Sequence, residues 1–483
     1  MNNHQLVYLT ATEALDRFRS GELRPSELMR ALLARIEAEN PKLNAFTAVY
    51  ADTALQQAEA ADSRYRAGTA RPLEGIALAV KDNVPIAGQT VTYGSRLYAN
   101  NVAALTHPGV ERLLAAGAVV IGRTTMPEFG EAGNCYTPLW GVTRNPWNTQ
   151  YGPGGSSSGS GVALAAGMTT IADGSDIGGS IRIPASCCGV YGYKAPYGRN
   201  PNDLANTFDP YMHYGPLARS VNDIRLMQSF IAGRHVDDIG TVAEIVDYSA
   251  VEDVRGWRVA YSVDLGYFPV DHEVRENMMR LVQGLRALGC AVEEVEVGWT
   301  TDVFDAWVAT NSSRGSAARF VHDFDRDRAL LADYTEDMIA QGKSLTADDL
   351  IKALETHVDM YGVLGPILED HDVFLCPTTA LPSVAADRSP LDLAIEINGE
   401  IVPPKIAEAW FMTYPFNSLA QLPVLSVPSG VSSSGVPTGV QVVGRSFADM
   451  KVMSIATALE HNVYATDFSP LAHGVRQTEP VAS

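Results

Sequence analysis

A chain of 483 residues that is 46% hydrophobic can bury a large core, and by length alone it would divide into about three domains. A formal charge of −20 makes the average surface repel phosphate backbones and anionic lipid heads, so nucleic acid and membrane are excluded as partners and a small-molecule substrate is expected. Five cysteines, dispersed apart from Cys187 and Cys188, read as reduced thiols, and ten histidines without HExxH or metal-like spacing predict neither a metal nor another cofactor.

The opening "MNNHQLVYLTATEALDRF" lacks the basic and apolar regions of a secretory signal, and no apolar run approaches a membrane span, so a soluble, cytoplasmic protein is expected. Helical patterns follow over Thr12 to Arg19 and Pro25 to Asn40, where Leu28, Leu32 and Ile36 recur four apart, predicting a helical cap over residues 1–60. From about residue 75 the texture alternates: "GIALAV" (75–80) as strand, "PGVERLLAAG" (108–117) as helix, "AVVIG" (118–122) as strand. It resumes with strands at 257–263, 291–297, 372–377, 422–428 and 438–444, and helices near 273–288 and 449–460. The stretch 300–370 reads as a charged helical excursion covering the sheet, with Thr346 as an N-cap and "HDFDRDR" (322–328) as a solvated face. With no repeat or long linker, the reading is one α/β domain over 1–483: a central mixed, mostly parallel twisted sheet covered by helices.

"YGPGGSSSGSG" (151–161) stands out in this pattern. A phosphate loop needs a lysine after its glycines and a strand before them, and neither is present. Gly155 to Gly159 spells GxSxG, the nucleophile elbow that would make Ser157 attack, yet no strand precedes it and only His461 or His473 follows as a C-terminal base. A plain flexible loop does not fit either, because "GVALAAGM" (161–168) continues directly as a small-residue helix.

A second glycine-rich turn, "ADGSDIGGSIRIPASCCGVYGYK" (172–194), together with "VKDNV" (80–84), "GGSSSGSG", "TTMPEF", "RNPWN" and "YPFNSLAQLPVLSVPSG" (414–430), resembles the amidase signature family. The blocks span about residues 60 to 460, with the signature core over 61–210. Lys81 and Ser156 stand 75 residues apart, and Ser156 and Ser180 stand 24 apart, as is typical of that family's Ser-cisSer-Lys triad.

The resemblance implies a cofactor-independent hydrolase of small amides or related acyl bonds such as anilides, carbamates and hydrazides. Ser180 would be the nucleophile, Ser156 a proton relay after a cis peptide from Gly155, and Lys81 the base, which must lose its proton through burial to act. The backbone N–H groups of Ile177, Gly178, Gly179 and Ser180 would form an oxyanion hole, each worth about 3–4 kcal/mol when preorganised. Asp176 and Arg182 would brace that loop and Ser157 would orient the triad. The family's dimers imply a homodimer. An alternative within the resemblance is the glutaminase-type component of a tRNA-dependent amidotransferase, releasing ammonia from glutamine beside a partner subunit.

The chain departs from the family's common wording at Ser158 and Thr125, where glycine and asparagine are usual, and at Pro127, where an acidic residue is often found. Met126, Tyr136, Trp140 and the segment 208–216 are expected to line the pocket, which their aromatic content would suit to an aryl acyl group. Cys187 and Cys188 read as small packed residues rather than nucleophiles. Asp82 and Asn83 read as strand-end structure.

Overall fold

Eleven strands form one mixed sheet that recurs from one end of the chain to the other in a computed structural model, which describes residues 3–314, 327–392, 394–403 and 410–475. In chain order they are β1 (Phe46–Val49), β2 (Ala77–Lys81), β3 (Val119–Thr124), β4 (Ile171–Asp176), β5 (Tyr191–Lys194) and β6 (His213–Ala218). The second half supplies β7 (Arg258–Tyr261), β8 (Ala291–Glu294), β9 (Val373–Pro377), β10 (Val424–Val431) and β11 (Pro437–Val443). Across the sheet the order is β1-β3-β2-β4-β6-β5-β10-β11-β9-β7-β8.

The α/β architecture and the mixed sheet are as expected, but the balance within the sheet is not. Only β2–β3, β2–β4, β7–β8 and β7–β9 pair in parallel, while the other six neighbouring pairs are antiparallel. Parallel pairing requires a crossover, whereas β10 and β11 are joined by a tight turn closed by Ser432 N–H on Val436 O, with Gly435 at φ 82°. The two ends of the sheet carry the βα rhythm, and the centre is built from hairpins and long returns.

Helices α1 (Ala11–Ser20) and α2 (Pro25–Leu43) form the N-terminal cap. Thr10 and Glu13 close a capping box on α1, and Pro25 opens α2 where its missing N–H is harmless. The cap is not purely helical, because β1 lies within it and pairs antiparallel with β3 at the sheet edge. Residues 172–194, expected as a glycine-rich turn, instead hold most of β4, the helix α4 (Arg182–Cys188) and β5, with 177–181 and 189–190 as the connections. Helix α3 (Ser158–Ala165) lies before β4 and is buried along its whole length, as its small residues allow.

Among the described residues the excursion carries the α-helices α5 (Asp302–Arg314), α6 (Asp333–Ser344) and α7 (Ala347–Asp370), the last capped by Thr346 as expected. Of the charge run 322–328, residues 322–326 lie outside the described residues, and Asp327 and Arg328 are exposed. Among the described residues two large apolar clusters fill most of the core, one around β2, β3 and the cap, the other around β7, β9, β10 and β11. No helix among the described residues is long and apolar enough to cross a membrane.

Candidate active site

Lys81 is the last residue of β2, a strand buried at every position, so its side chain is carried into the interior and is 0% exposed. The strand end is pinned by the Lys81 N–H donating to Asp173 Oδ1 of β4 at 2.7 Å. Lys81 Nζ then meets Ser156 Oγ at 2.8 Å, Ser175 Oγ at 2.9 Å and Ser175 O at 3.4 Å. Burial pushes the ammonium down to about 7, with the carboxylates of Asp176 and Asp173 offsetting part of that drop.

Ser156 follows a cis peptide from Gly155. A β-carbon on Gly155 would lie 2.5 Å from the backbone oxygen of Ala132, so only glycine fits there. Ser157 is fully buried, donates its N–H to Ser180 O at 3.0 Å and its hydroxyl to Ser175 O at 3.4 Å. It thereby ties the loop before α3 to the loop after β4, and the burial of its hydroxyl removes the basis for the elbow reading. Ser158, a departure from the family's wording, donates to Gly154 O at 2.6 Å.

The loop between β4 and α4 carries Ser180, which is partly exposed and shares a cavity with Ser156. Asp176 and Arg182 brace this loop from below and are both fully buried, so a surface salt bridge is ruled out. Arg182 reaches Asp176 through Nε at 3.0 Å and Nη2 at 2.8 Å, and also donates to Thr413 O, Gln441 Oε1 and Asn417 Oδ1. Burial alone would raise the Asp176 carboxyl, but the Arg182 charge and hydrogen bonds from Arg182 and Asn417 hold it well below the usual carboxylate range.

One expected oxyanion donor is redirected. Gly179 N–H donates to Asp176 Oδ1 at 2.9 Å, which takes it out of the set of four. Its φ of 126° and the Thr413 hydroxyl, which occupies the place a β-carbon would take, require glycine at this bend. No acceptor among the described residues meets the N–H groups of Ile177, Gly178 and Ser180.

The cavity measures about 170 Å³, well beyond the roughly 10–15 Å³ that one water needs. Its apolar walls include Tyr93, Phe129, Phe304, Trp307, Met338 and Phe411. Met212, from the segment expected to contribute, lines it too. The other three pocket candidates do not. The chain reaches the cavity at Phe129 to Gly133, and the residues on either side turn away. Met126 is buried behind Gly130, Tyr136 is 37% exposed, and Trp140 donates its indole N–H to Thr92.

Sequence reasoning missed Ser175 and Asn83, which the fold places beside the lysine. Asn83 Nδ2 donates to Ser175 Oγ at 2.9 Å and lines the cavity, so it is more than a strand end. The excursion does more than cover the sheet, because α5 and α6 supply one wall of the cavity. The two adjacent cysteines are fully buried, and burial pushes the Cys187 thiol up to about 12 and that of Cys188 well above its ordinary value.

Comparison with known proteins gives this geometry a lineage. The Amidase family model matches residues 27–453. An acylamidase of Rhodococcus erythropolis is 31% identical over 466 residues, covering 95% of this chain and 96% of its own. The A component of the glutamyl-tRNA(Gln) amidotransferase of Geobacter metallireducens is 32% identical over 485 residues, covering 94% and 97%. The crystal structure of a bacterial aryl acylamidase, one of the amidase signature enzymes, superposes with a TM-score of 0.89 at 27% identity, covering 98% of this chain and 99% of that one. With sequence and backbone matched along nearly its whole length, the chain belongs to the amidase signature family and is a hydrolase of carbon–nitrogen bonds.

Proposed function

We propose that the protein hydrolyses small carboxylic amides bearing an apolar or aryl group, anilides foremost, with carbamates and hydrazides as related substrates. Neutral Lys81 takes the proton of Ser156, which takes that of Ser180 as the Ser180 oxygen adds to the substrate carbonyl. The negative charge that develops on the carbonyl oxygen is met by the N–H groups of Ile177, Gly178 and Ser180. Collapse expels the amine, which leaves with the proton returned along the same path. Water then attacks the acyl ester, activated by the same base, and releases the carboxylic acid and Ser180. Side chains relay every proton, with water as the net source, so the scheme needs no cofactor.

The observation that carries this reading is the 2.8 Å contact between fully buried Lys81 and Ser156, beneath an aromatic-walled cavity that Ser180 shares. It sets a pH dependence. The base acts only when unprotonated, and burial lowers Lys81 to about 7. Log kcat/KM is therefore expected to rise with unit slope below pH 7 and to level off above it. A profile flat from pH 5.5 to 9 contradicts the lysine as base.

A second reading, the glutaminase component of an amidotransferase, is favoured by the 32% identity to the Geobacter metallireducens protein. The two readings separate on the protein purified by itself, assayed with anilide, ester and carbamate panels and for ammonia release from glutamine. Anilide turnover without a partner is expected. Ammonia release from glutamine with no turnover of the panels would overturn the proposal in favour of the amidotransferase component.

A further inference from the structure

Trp307 lies on α5, far in sequence from the signature blocks, yet it touches the loop that bears the reaction. Its Nε1–H donates to the carbonyl of Ile177 at 3.3 Å. Its ring also lies against Gly178, where a β-carbon would come within 2.6 Å of Trp307 Cζ2. The Ile177 carbonyl and the Gly178 N–H belong to one planar trans peptide, so fixing the direction of one fixes the other on the opposite side. The next peptide plane is held independently. The Thr413 hydroxyl donates to Gly178 O at 2.5 Å, and the Gly179 N–H on that plane goes to Asp176 Oδ1 at 2.9 Å. Of the two planes, only the first carries an N–H without an acceptor among the described residues, and its carbonyl is held from the helical excursion.

We infer that Trp307 is a positioning residue for transition-state stabilisation: by holding the Ile177 carbonyl it keeps the Gly178 N–H aimed at the oxygen on which charge develops. The inference rests on the acyl-enzyme reading above. A donor stabilises the developing charge only if it is aimed before reaction, because reorienting a peptide during the step would consume the gain. Trp307 also packs as part of the wall, edge-on to Phe411 at 6.1 Å and beside Tyr414 at 5.4 Å. Ring and N–H are separable chemically: phenylalanine keeps an aromatic ring, and the benzothiophene analogue of tryptophan keeps nearly the whole shape, while both lack the donor.

The test compares wild type, Trp307→Phe and the benzothiophene replacement on one neutral anilide. It also measures inhibition by a matched trifluoromethyl ketone, which forms a tetrahedral adduct bearing an oxyanion. Losing one neutral hydrogen bond is expected to lower kcat roughly three- to tenfold with KM unchanged. The adduct's Ki should rise by the same factor. The deciding quantity is Ki relative to KM. A rise in that ratio in the benzothiophene enzyme supports the inference, and an unchanged ratio overturns it, leaving Trp307 as cavity wall alone. Ser180→Ala is run in parallel. If it retains wild-type turnover, the acyl-enzyme reading itself has failed. If it is inactive while the Trp307 ratio is unchanged, only the role of Trp307 has failed.

Discussion

Ser180→Ala is expected to lower kcat for amide hydrolysis by roughly 10⁴- to 10⁶-fold, with the fold and KM close to wild type. The serine sits in the loop after β4, partly exposed to the cavity, and none of the bracing contacts of that loop uses its hydroxyl. Its removal therefore deletes chemistry without unsettling structure. Lys81→Ala and Ser156→Ala should fall to a comparable level, because a relay that lacks any member passes no proton. The losses should not add: a triple variant should resemble the worst single one, as expected of groups that act as a unit. Steady-state kinetics on an anilide, with circular dichroism as the check on folding, measures all four. A Lys81→Ala enzyme at wild-type rate beside a dead Ser180→Ala would break the relay.

Asp176→Ala has the largest expected effect on stability, a loss of about 3–5 kcal/mol, because it leaves the Arg182 guanidinium charged and unpaired in the interior. It also removes the acceptor of the Gly179 and Ile181 N–H groups, so the loop that presents Ser180 loses its brace and activity should fall together with stability. Urea unfolding or residual activity after heating reads the first effect, and kcat the second. The double variant Asp176→Ala/Arg182→Met removes the stranded charge and should recover only part of the loss, since the two backbone donors stay unpaired. The pair's pH behaviour has a definite sign. The folded carboxyl titrates below its unfolded value of about 4, so its stabilisation is complete above that pH and is lost only as pH falls well below it. An Asp176→Ala protein within 1 kcal/mol of wild type would show that the buried pair braces nothing.

What could be read from the sequence was what repeats locally or stands at a diagnostic spacing. Buried apolar runs marked β2, β3, β7, β9, β10 and β11, and Thr346 announced its capping box. The spacing of Lys81, Ser156 and Ser180 drew those three residues together through a family resemblance rather than through any local pattern. β4 and β6 escaped because "IADGSD" and "HYGPLA" carry glycine, aspartate and proline where a strand is expected to be β-branched and apolar. The first of them holds Asp173, Ser175 and Asp176, and the polar residues that spoil its strand signal are the ones the lysine and the loop require.

The long-range partners had no local signal at all. Thr413, Asn417 and Gln441 meet Arg182 across 231, 235 and 259 residues. The cavity wall escaped for a related reason. Aromatic residues near the signature blocks look like lining, whereas much of the wall is brought by α5 and α6 from a charged excursion with no motif of its own. The loop over 177–180 shows a third limit. Four glycine-flanked N–H groups are expected to converge, and the geometry of Asp176 turns one of them aside.

The central claim is that the attacking hydroxyl belongs to Ser180 and not to the serine cluster at 156–158. Treatment of the native protein with a fluorophosphonate, followed by digestion and mass-spectrometric mapping of the adduct, addresses it in one step. The relay geometry predicts one adduct, on Ser180, absent from Ser180→Ala and formed with the same pH dependence as hydrolysis. An adduct on Ser156, Ser157 or Ser158 of the wild-type protein would contradict it.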